Sequence, residues 1–319
     1  MTEQRPVLVA TEAHDQTADM VITELNQRDV PVMRFNPADI GEGLTVSARF
    51  GTCPAPVAGQ ARTPSRTANL EHLRAVYWRR PVWPHFEHLN DADRRLATAQ
   101  TRYGLGGILY ALDGPLWVNQ PQREAAADYK PTQLAVAQRL GLTVPPTLVT
   151  NDQNQAREFI TAHGRVITKT LRWTPYERDG VPVTSWAEPV TADEIDDSIR
   201  VVPHLFQAQV DKVADLRVLI VGEKVFAVRI DSGLLDWRKD YSALSYTVVD
   251  LPDPLKRTLL AYLGHFSLVS GSFDLALDTE GGYHWLELNP TGQWGWLEEN
   301  TGLPMAAAFA ELLTRGDAR

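Results

Sequence analysis

The sequence predicts an α+β chain of two or three lobes. Three observations carry this. First, 319 residues are too many for one small core. Second, strand-, helix- and strand-like segments alternate over the first 35 residues. Third, the last hundred residues are rich in paired strand patterns.

The elements follow in order. Residues 6–10 read as a short buried strand, and residues 16–27 place Ala18, Val21, Ile22 and Leu25 at helical spacing. Val30 to Phe35 reads as a second strand, completing a βαβ unit. Residues 45–68, rich in Gly, Pro, Thr and Arg, predict a hairpin and loops. Val76–Trp78 reads as a strand, and Asp91 to Leu112 as a helix. Residues 1–118 are therefore expected to form one small α/β lobe.

A second unit is expected over 119–204. Its elements are a helix from Thr132 to Leu140, a strand over Val144–Val149, a helix from Ala156 to His163 and a strand from Arg165 to Thr170. A polar loop follows from Arg172 to about Ser185. The third unit, 205–319, holds a strand at Leu205–Val210 and a hairpin of Leu216–Val221 with Lys224–Ile230 about Gly222-Glu223. A helix over Leu255–Leu263, paired strands at Ser272–Leu277 and His284–Leu288, and a closing helix at Met305–Leu313 complete it.

Composition narrows the function. The chain is 44% hydrophobic and 22% charged, with a formal charge of -9. Its longest basic run is a pair, which disfavours a nucleic-acid partner. No apolar run reaches a membrane span, and Met1-Thr-Glu-Gln-Arg-Pro lacks the apolar core of a signal peptide. The single cysteine, Cys53, excludes an intramolecular disulfide framework and a Cys-rich metal site. These features point to the cytoplasm. In so acidic a chain, an acidic substrate would need a local basic pocket.

The strongest chemical constellation is Asp274 on one strand with Glu287 and Asn289 on the next. The gap between the two carboxylates suits two strands joined by a tight turn. Residues 287 and 289 share a strand face. Two carboxylates and an amide suit Mg²⁺, a hard cation. The competing reading is a solvated polar hairpin face. Apolar flanks (Phe273, Leu275, Trp285, Leu286, Leu288) argue against it, because an unpaired buried carboxylate is costly.

Lys169 lies in an apolar strand and Lys130 precedes a helix. Either can meet a phosphate, or be a plain surface lysine. In Gln207-Ala208-Gln209-Val210 an exposed backbone edge at 208–210 can pair with an adenine base, and Asp215 can accept from ribose hydroxyls. Arg217 and Arg229 alternate with apolar residues, suiting an anion-facing surface; ordinary strand patterning is the alternative. Three motifs carry less. Gly104-Leu105-Gly106-Gly107 lies inside a helical pattern and suits close packing. His85-Phe86-Glu87-His88 lacks a third metal ligand. Ser270-Gly271-Ser272 lacks the nucleophile-elbow pattern.

In this order and spacing the residues resemble the ATP-grasp superfamily, over about residues 119–313. The resemblance implies an ATP-grasp fold behind an N-terminal pre-ATP-grasp domain, with ATP and Mg²⁺ as cofactors. It further implies that Lys130 and Lys169 hold phosphates, that Gln207, Gln209, Val210 and Asp215 hold the nucleoside, and that Asp274, Glu287 and Asn289 bind the metal. Arg217, Arg229 and, less directly, Arg238 would meet the substrate carboxylate or its acyl phosphate.

The chain is more specifically similar to the ATP-grasp ribosomal peptide maturases (graspetide or microviridin-type ligases). The segments behind this are Val76-Tyr77-Trp78-Arg79-Arg80-Pro81, Trp117-Val118-Asn119-Gln120-Pro121 and Leu142-Thr-Val-Pro-Pro146-Thr. Two more are Asp236-Trp237-Arg238-Lys239-Asp240-Tyr241 and Leu286-Glu287-Leu288-Asn289-Pro290-Thr-Gly-Gln293-Trp294. Such enzymes join Asp or Glu to Ser, Thr or Lys within a precursor peptide. The implied partner is a precursor peptide with a leader and an acidic core, and a homodimer is compatible. One departure is the loop after Lys169, which holds Arg172, Trp173, Tyr176 and only Gly180 rather than a glycine-rich lid. A ligase adding free amino acids, or a non-catalytic nucleotide-binding scaffold, would share the core motifs. No general base stands out; Asp231 and Asp236 are the candidates.

Overall fold

A computed structural model describes residues 5–51 and 55–316. Cys53 and Met1–Gln4 lie outside the described residues. The chain opens with β1 (Val7–Thr11), α1 (Gln16–Gln27) and β2 (Val32–Phe35). Asp15 caps α1, its carboxylate accepting from the Ala18 amide at 3.1 Å. The expected hairpin region is a separate three-stranded antiparallel sheet of β3 (Thr45–Arg49), β4 (Ala58–Arg62) and β5 (Thr67–Asn69). Then come β6 (Ala75–Arg80), α2 (Asp91–Tyr110) and β7 (Leu116–Val118). Strands β2, β1, β6 and β7 form a parallel sheet in that order.

Next are α3 (Pro121–Ala127), α4 (Lys130–Arg139), β8 (Thr147–Thr150), α5 (Gln153–His163) and β9 (Val166–Lys169). The segment expected as a polar loop contains a small hairpin, β10 (Glu177–Arg178) and β11 (Val181–Pro182). Asp179 and Gly180 between them both have positive φ, 53° and 76°, as a two-residue hairpin turn requires. Strands β12 (Glu188–Val190) and β13 (His204–Ala208) follow. The second sheet runs β12-β9-β13-β8. Residues 205–208 thus belong to this sheet, and the step to the next one falls after Ala208 rather than at 204/205.

The third sheet is antiparallel. It comprises β14 (Lys212–Val221), β15 (Lys224–Asp231), β16 (Ser245–Val249), β17 (Ser270–Asp278) and β18 (Tyr283–Asn289), in the order β16-β15-β14-β17-β18. Helix α6 (Asp253–His265) interrupts it, and α7 (Gly295–Thr301) and α8 (Met305–Arg315) close the chain.

Alternation along β14 divides this sheet between two cores. Leu216, Val218 and Ile220 join Val136, Leu259 and Trp285 under α4 and α6. Leu219 and Val221 join Val7, Leu25, Tyr77, Trp294 and Phe309. The second core is shared with the parallel sheet, so β6 is welded to the layer that carries the acidic residues. Asn119 reinforces the seam. Its amide donates to the Ser270 carbonyl at 2.9 Å and accepts from the Val269 and Ser270 amides at 2.9 and 3.2 Å. Helix α4 is fixed by buried Gln133, which donates to the Ala127 and Leu288 carbonyls (2.6 and 2.9 Å) and accepts from the Leu288 amide (3.0 Å).

Candidate active site

The register of the five-stranded sheet sets the site. Arg217 lies opposite Asp274, and Asp274 opposite Glu287. Opposed residues point to one face, so the three side chains form a row across β14, β17 and β18. Pairing then jumps to Leu275–Trp285, leaving Leu286 over as a bulge. That extra residue lets Trp285 and Leu288 enter the core while Glu287 faces the other way. Asn289 lies two residues on, and its amide nitrogen is 3.0 Å from Asp274 Oδ2 and 3.4 Å from Glu287 Oε1.

This is not a solvated hairpin face. Glu287 is 8% exposed and Arg217 7%. Cations compensate both carboxylates. Arg217 Nη1 lies 2.8 Å from each oxygen of Asp274. Lys130, at the start of α4, is ion-paired with Glu287, and Arg238 approaches Glu287 at 3.9 Å. Burial pushes the Glu287 carboxyl up, but the charges of Lys130, Lys169 and Arg238 outweigh it and hold the group well below the usual range.

Lys169, the last residue of β9 in the second sheet, is coupled to this row by charge. Burial lowers its ammonium, and Glu287 opposes that shift, with Lys130, Arg238 and Asp274 also acting on it. Arg238 sits on a short turn after buried Asp236. Its Nε and Nη2 each lie 2.8 Å from an Asp236 oxygen. Burial raises Asp236, yet Arg238 and the Ala187 amide leave it lowered. Asp215 shares the face of Arg217 and meets Lys212 at 2.5 Å. Burial nonetheless pushes Asp215 up to about 6. Between the layers is a cavity of about 490 Å³ whose lining includes Arg80, Lys130, Arg172, Arg217, Arg238 and Asn289.

The structure therefore brings together Lys130, Lys169, Arg217, Arg238, Asp274, Glu287 and Asn289, with Asp215 beside them. It separates Arg229. That residue lies opposite Leu216, hence on the opposite face, where it is bound to Asp231 at 2.7 Å. A one-residue offset on a strand reverses the side, which the alternating pattern alone did not show. The expected open edge at 208–210 is also partly closed. The Ala208 and Gln209 amides already donate to the Pro146 and Arg165 carbonyls (2.8 and 2.9 Å). The Gln207 side chain is buried and donates to Thr147 Oγ1 at 2.8 Å. Val210 lies between β13 and β14. Both general-base candidates are engaged, Asp231 by Arg229 and Asp236 by Arg238.

Two residues not singled out for the site shape it. Gln133 holds the helix that presents Lys130. Arg79, 3% exposed, donates to the Thr291 carbonyl at 2.6 Å and to Gln293, fixing the loop after β18. Gly292 in that loop is required: a Cβ there would lie 2.6 Å from both Arg217 Nη2 and Ser272 Cβ.

Oxygen chemistry fits magnesium, which takes one or two carboxylates and completes its shell with waters and phosphate oxygens. Among the described residues no three His, Cys, Asp or Glu side chains converge. The set here is two carboxylates and an amide. Burial by itself does not demand a metal, because Arg217, Lys130 and Arg238 already compensate the charge.

The fold is that of the ATP-grasp ligases. Among solved structures the chain resembles ATP-grasp ligases of ribosomal peptides along nearly its whole length. A Chryseobacterium gregarium RiPP-associated ATP-grasp ligase, in complex with ADP and a leader and core peptide, superposes with a TM-score of 0.89. It is 25% identical, with 99% of each chain covered. Macrocyclase MdnC from Microcystis aeruginosa MRC, bound with precursor peptide MdnA, gives 0.88 at 25% identity over 98% of this chain and 100% of that one. Macrocyclase MdnB from the same organism gives 0.80 at 25%, covering 97% and 99%. No family model and no curated protein matches the sequence.

Proposed function

We propose that the chain is an ADP-forming ligase that closes rings in a ribosomally made precursor peptide. The observation that carries this is the largely buried row Arg217–Asp274–Glu287–Asn289, with Lys130 paired to it and Lys169 coupled to it by charge, on a fold matched end to end by macrocyclases. In this reading an Asp or Glu side chain of the peptide attacks the γ-phosphorus of ATP. ADP leaves and an acyl phosphate forms. A Ser or Thr hydroxyl or a Lys amine then attacks the carbonyl carbon and loses its proton, and phosphate departs with one carboxylate oxygen.

The chain's own residues divide the work. Lys130 and Lys169 hold phosphates, offsetting the repulsion between two anions that must meet. Asp274, Glu287 and Asn289 would hold Mg²⁺, which when bound supplies further positive charge at the phosphates. Asp215 and the backbone of the Gln207–Val210 hinge, with Gln209, receive the nucleoside. Arg217 and Arg238 orient the carboxylates and face the transferred group. We assign the three units 1–118, 119–204 and 205–319 to the pre-ATP-grasp domain and the two ATP-grasp subdomains, with β13 completing the middle sheet.

The proposed partner is a peptide with a leader and an acidic core, and the proposed setting is the cytoplasm, with a homodimer as the assembly to test. No helix among the described residues is long and apolar enough to cross a membrane.

The test is to mix the protein with MgATP and an acidic, Thr- or Lys-rich precursor peptide carrying its leader, and to weigh the product. Loss of one water per ADP formed supports ring closure. Gain of an amino-acid residue when free amino acids are present would replace this reading with an additive ligase.

A further inference from the structure

Four of the cationic side chains that line the central cavity already have acidic partners. Lys130 is paired with Glu287, Arg217 with Asp274 and Arg238 with Asp236, while Arg172 lies 3.6 Å from Asp128. Arg80 differs. It ends β6, is exposed and lines the same cavity beside Thr291 and Gly292. Its guanidinium makes no ion pair or hydrogen bond among the described residues. In a chain with 40 acidic and 31 basic residues, a cavity-facing arginine without an internal acid is a vacancy for an external one.

Its backbone is also held in place. The preceding residue, Arg79, turns inward and fixes the Thr291–Gln293 loop, so β6 is locked to the floor of the site. Arg80 stands at the carboxyl end of a parallel strand, where α/β sheets commonly present ligand-binding groups. We propose that Arg80 is a specificity-determining residue that grips the side-chain carboxylate of the peptide before phosphoryl transfer. A guanidinium suits this because its planar fork can meet both carboxylate oxygens. The inference rests on the ligase reading above.

The test is a double-mutant cycle between enzyme and peptide, read by calorimetry and by intact mass. The probe is a leader-bearing precursor peptide with one core glutamate and one core threonine. Arg80→Ala should raise the peptide KM and Kd by roughly tenfold to a hundredfold, the loss of one charged hydrogen-bonded pair. ATP affinity should fall much less than peptide affinity. Arg80→Lys should restore only part of the loss. Replacing the core glutamate by glutamine should weaken binding to the wild type yet add little in Arg80→Ala. Fully additive losses, or an unchanged peptide KM in Arg80→Ala, would overturn the role of Arg80 and leave the ligase reading intact. A wild-type protein that forms no ADP and no dehydrated product would instead overturn the ligase reading, and this inference with it.

Discussion

Asp274 and Glu287 occupy neighbouring strands of one sheet face, each paired with a cation, Arg217 and Lys130, and both belong to the proposed metal set. Asp274→Ala or Glu287→Ala should therefore lower turnover by roughly two or more orders of magnitude while the fold persists. Turnover near wild type, in a protein with unchanged circular dichroism, would remove both from the proposed metal set. Arg229 gives the opposite expectation. It lies on the other face and is bound to Asp231, so Arg229→Ala should leave ring-forming activity within about threefold of wild type. A hundredfold loss would return it to the site. Residue-level legibility follows the same division. The shared side of Glu287 and Asn289 was readable from a spacing of two. The side of Arg229 depended on which face of β14 met which core, and the Arg238–Asp236 pair is a local fold of the chain with no periodic signal. Arg80 was visible only as part of a resembling segment, since an unpaired cation is defined by what surrounds it.

Elements were legible where periodicity was strong. Helix α1 lies at the expected 16–27, and the β17–β18 hairpin follows the apolar pattern around its acids. Short elements without a full period escaped: β7, α3, β16 and α7, and the Asp179-Gly180 hairpin hidden in a polar stretch. Sheet membership was also out of reach. Residues 205–210 read as a strand, but nothing local shows that β13 pairs with β8 and β9. Helix α3 has an energetic consequence. It inserts Glu124 into the seam between β6 and β17, and its Oε1 has no hydrogen-bond partner. Burial pushes this carboxyl from an ordinary 4.5 up to about 8. The folded chain then holds a proton that the unfolded chain releases, so stability falls as pH rises between those values, by at most about 1.4 kcal/mol per pH unit. Glu124→Gln keeps the shape without the titration. Its melting temperature relative to wild type should climb from pH 5 to pH 8.5, and a constant difference across that range would refute the buried acid.

At the scale of the molecule, the parallel sheet and the acidic sheet share one core, and the sheet of β12, β9, β13 and β8 packs with α5 in a core of its own. The parallel sheet and the acidic sheet are joined through Tyr77, Trp294 and Phe309, and Lys169, on the other sheet, is coupled to the acidic row by charge. This layering lets a chain of charge -9 present a cavity lined by cations. In the proposed reaction, phosphoryl transfer to a carboxylate precedes ring closure. The most direct measurement labels the carboxylate oxygens of the peptide's core Asp and Glu with ¹⁸O and follows the released phosphate by mass. An acyl phosphate transfers one labelled oxygen to phosphate for every ring closed. Ring closure with unlabelled phosphate would contradict carboxylate activation in this cleft.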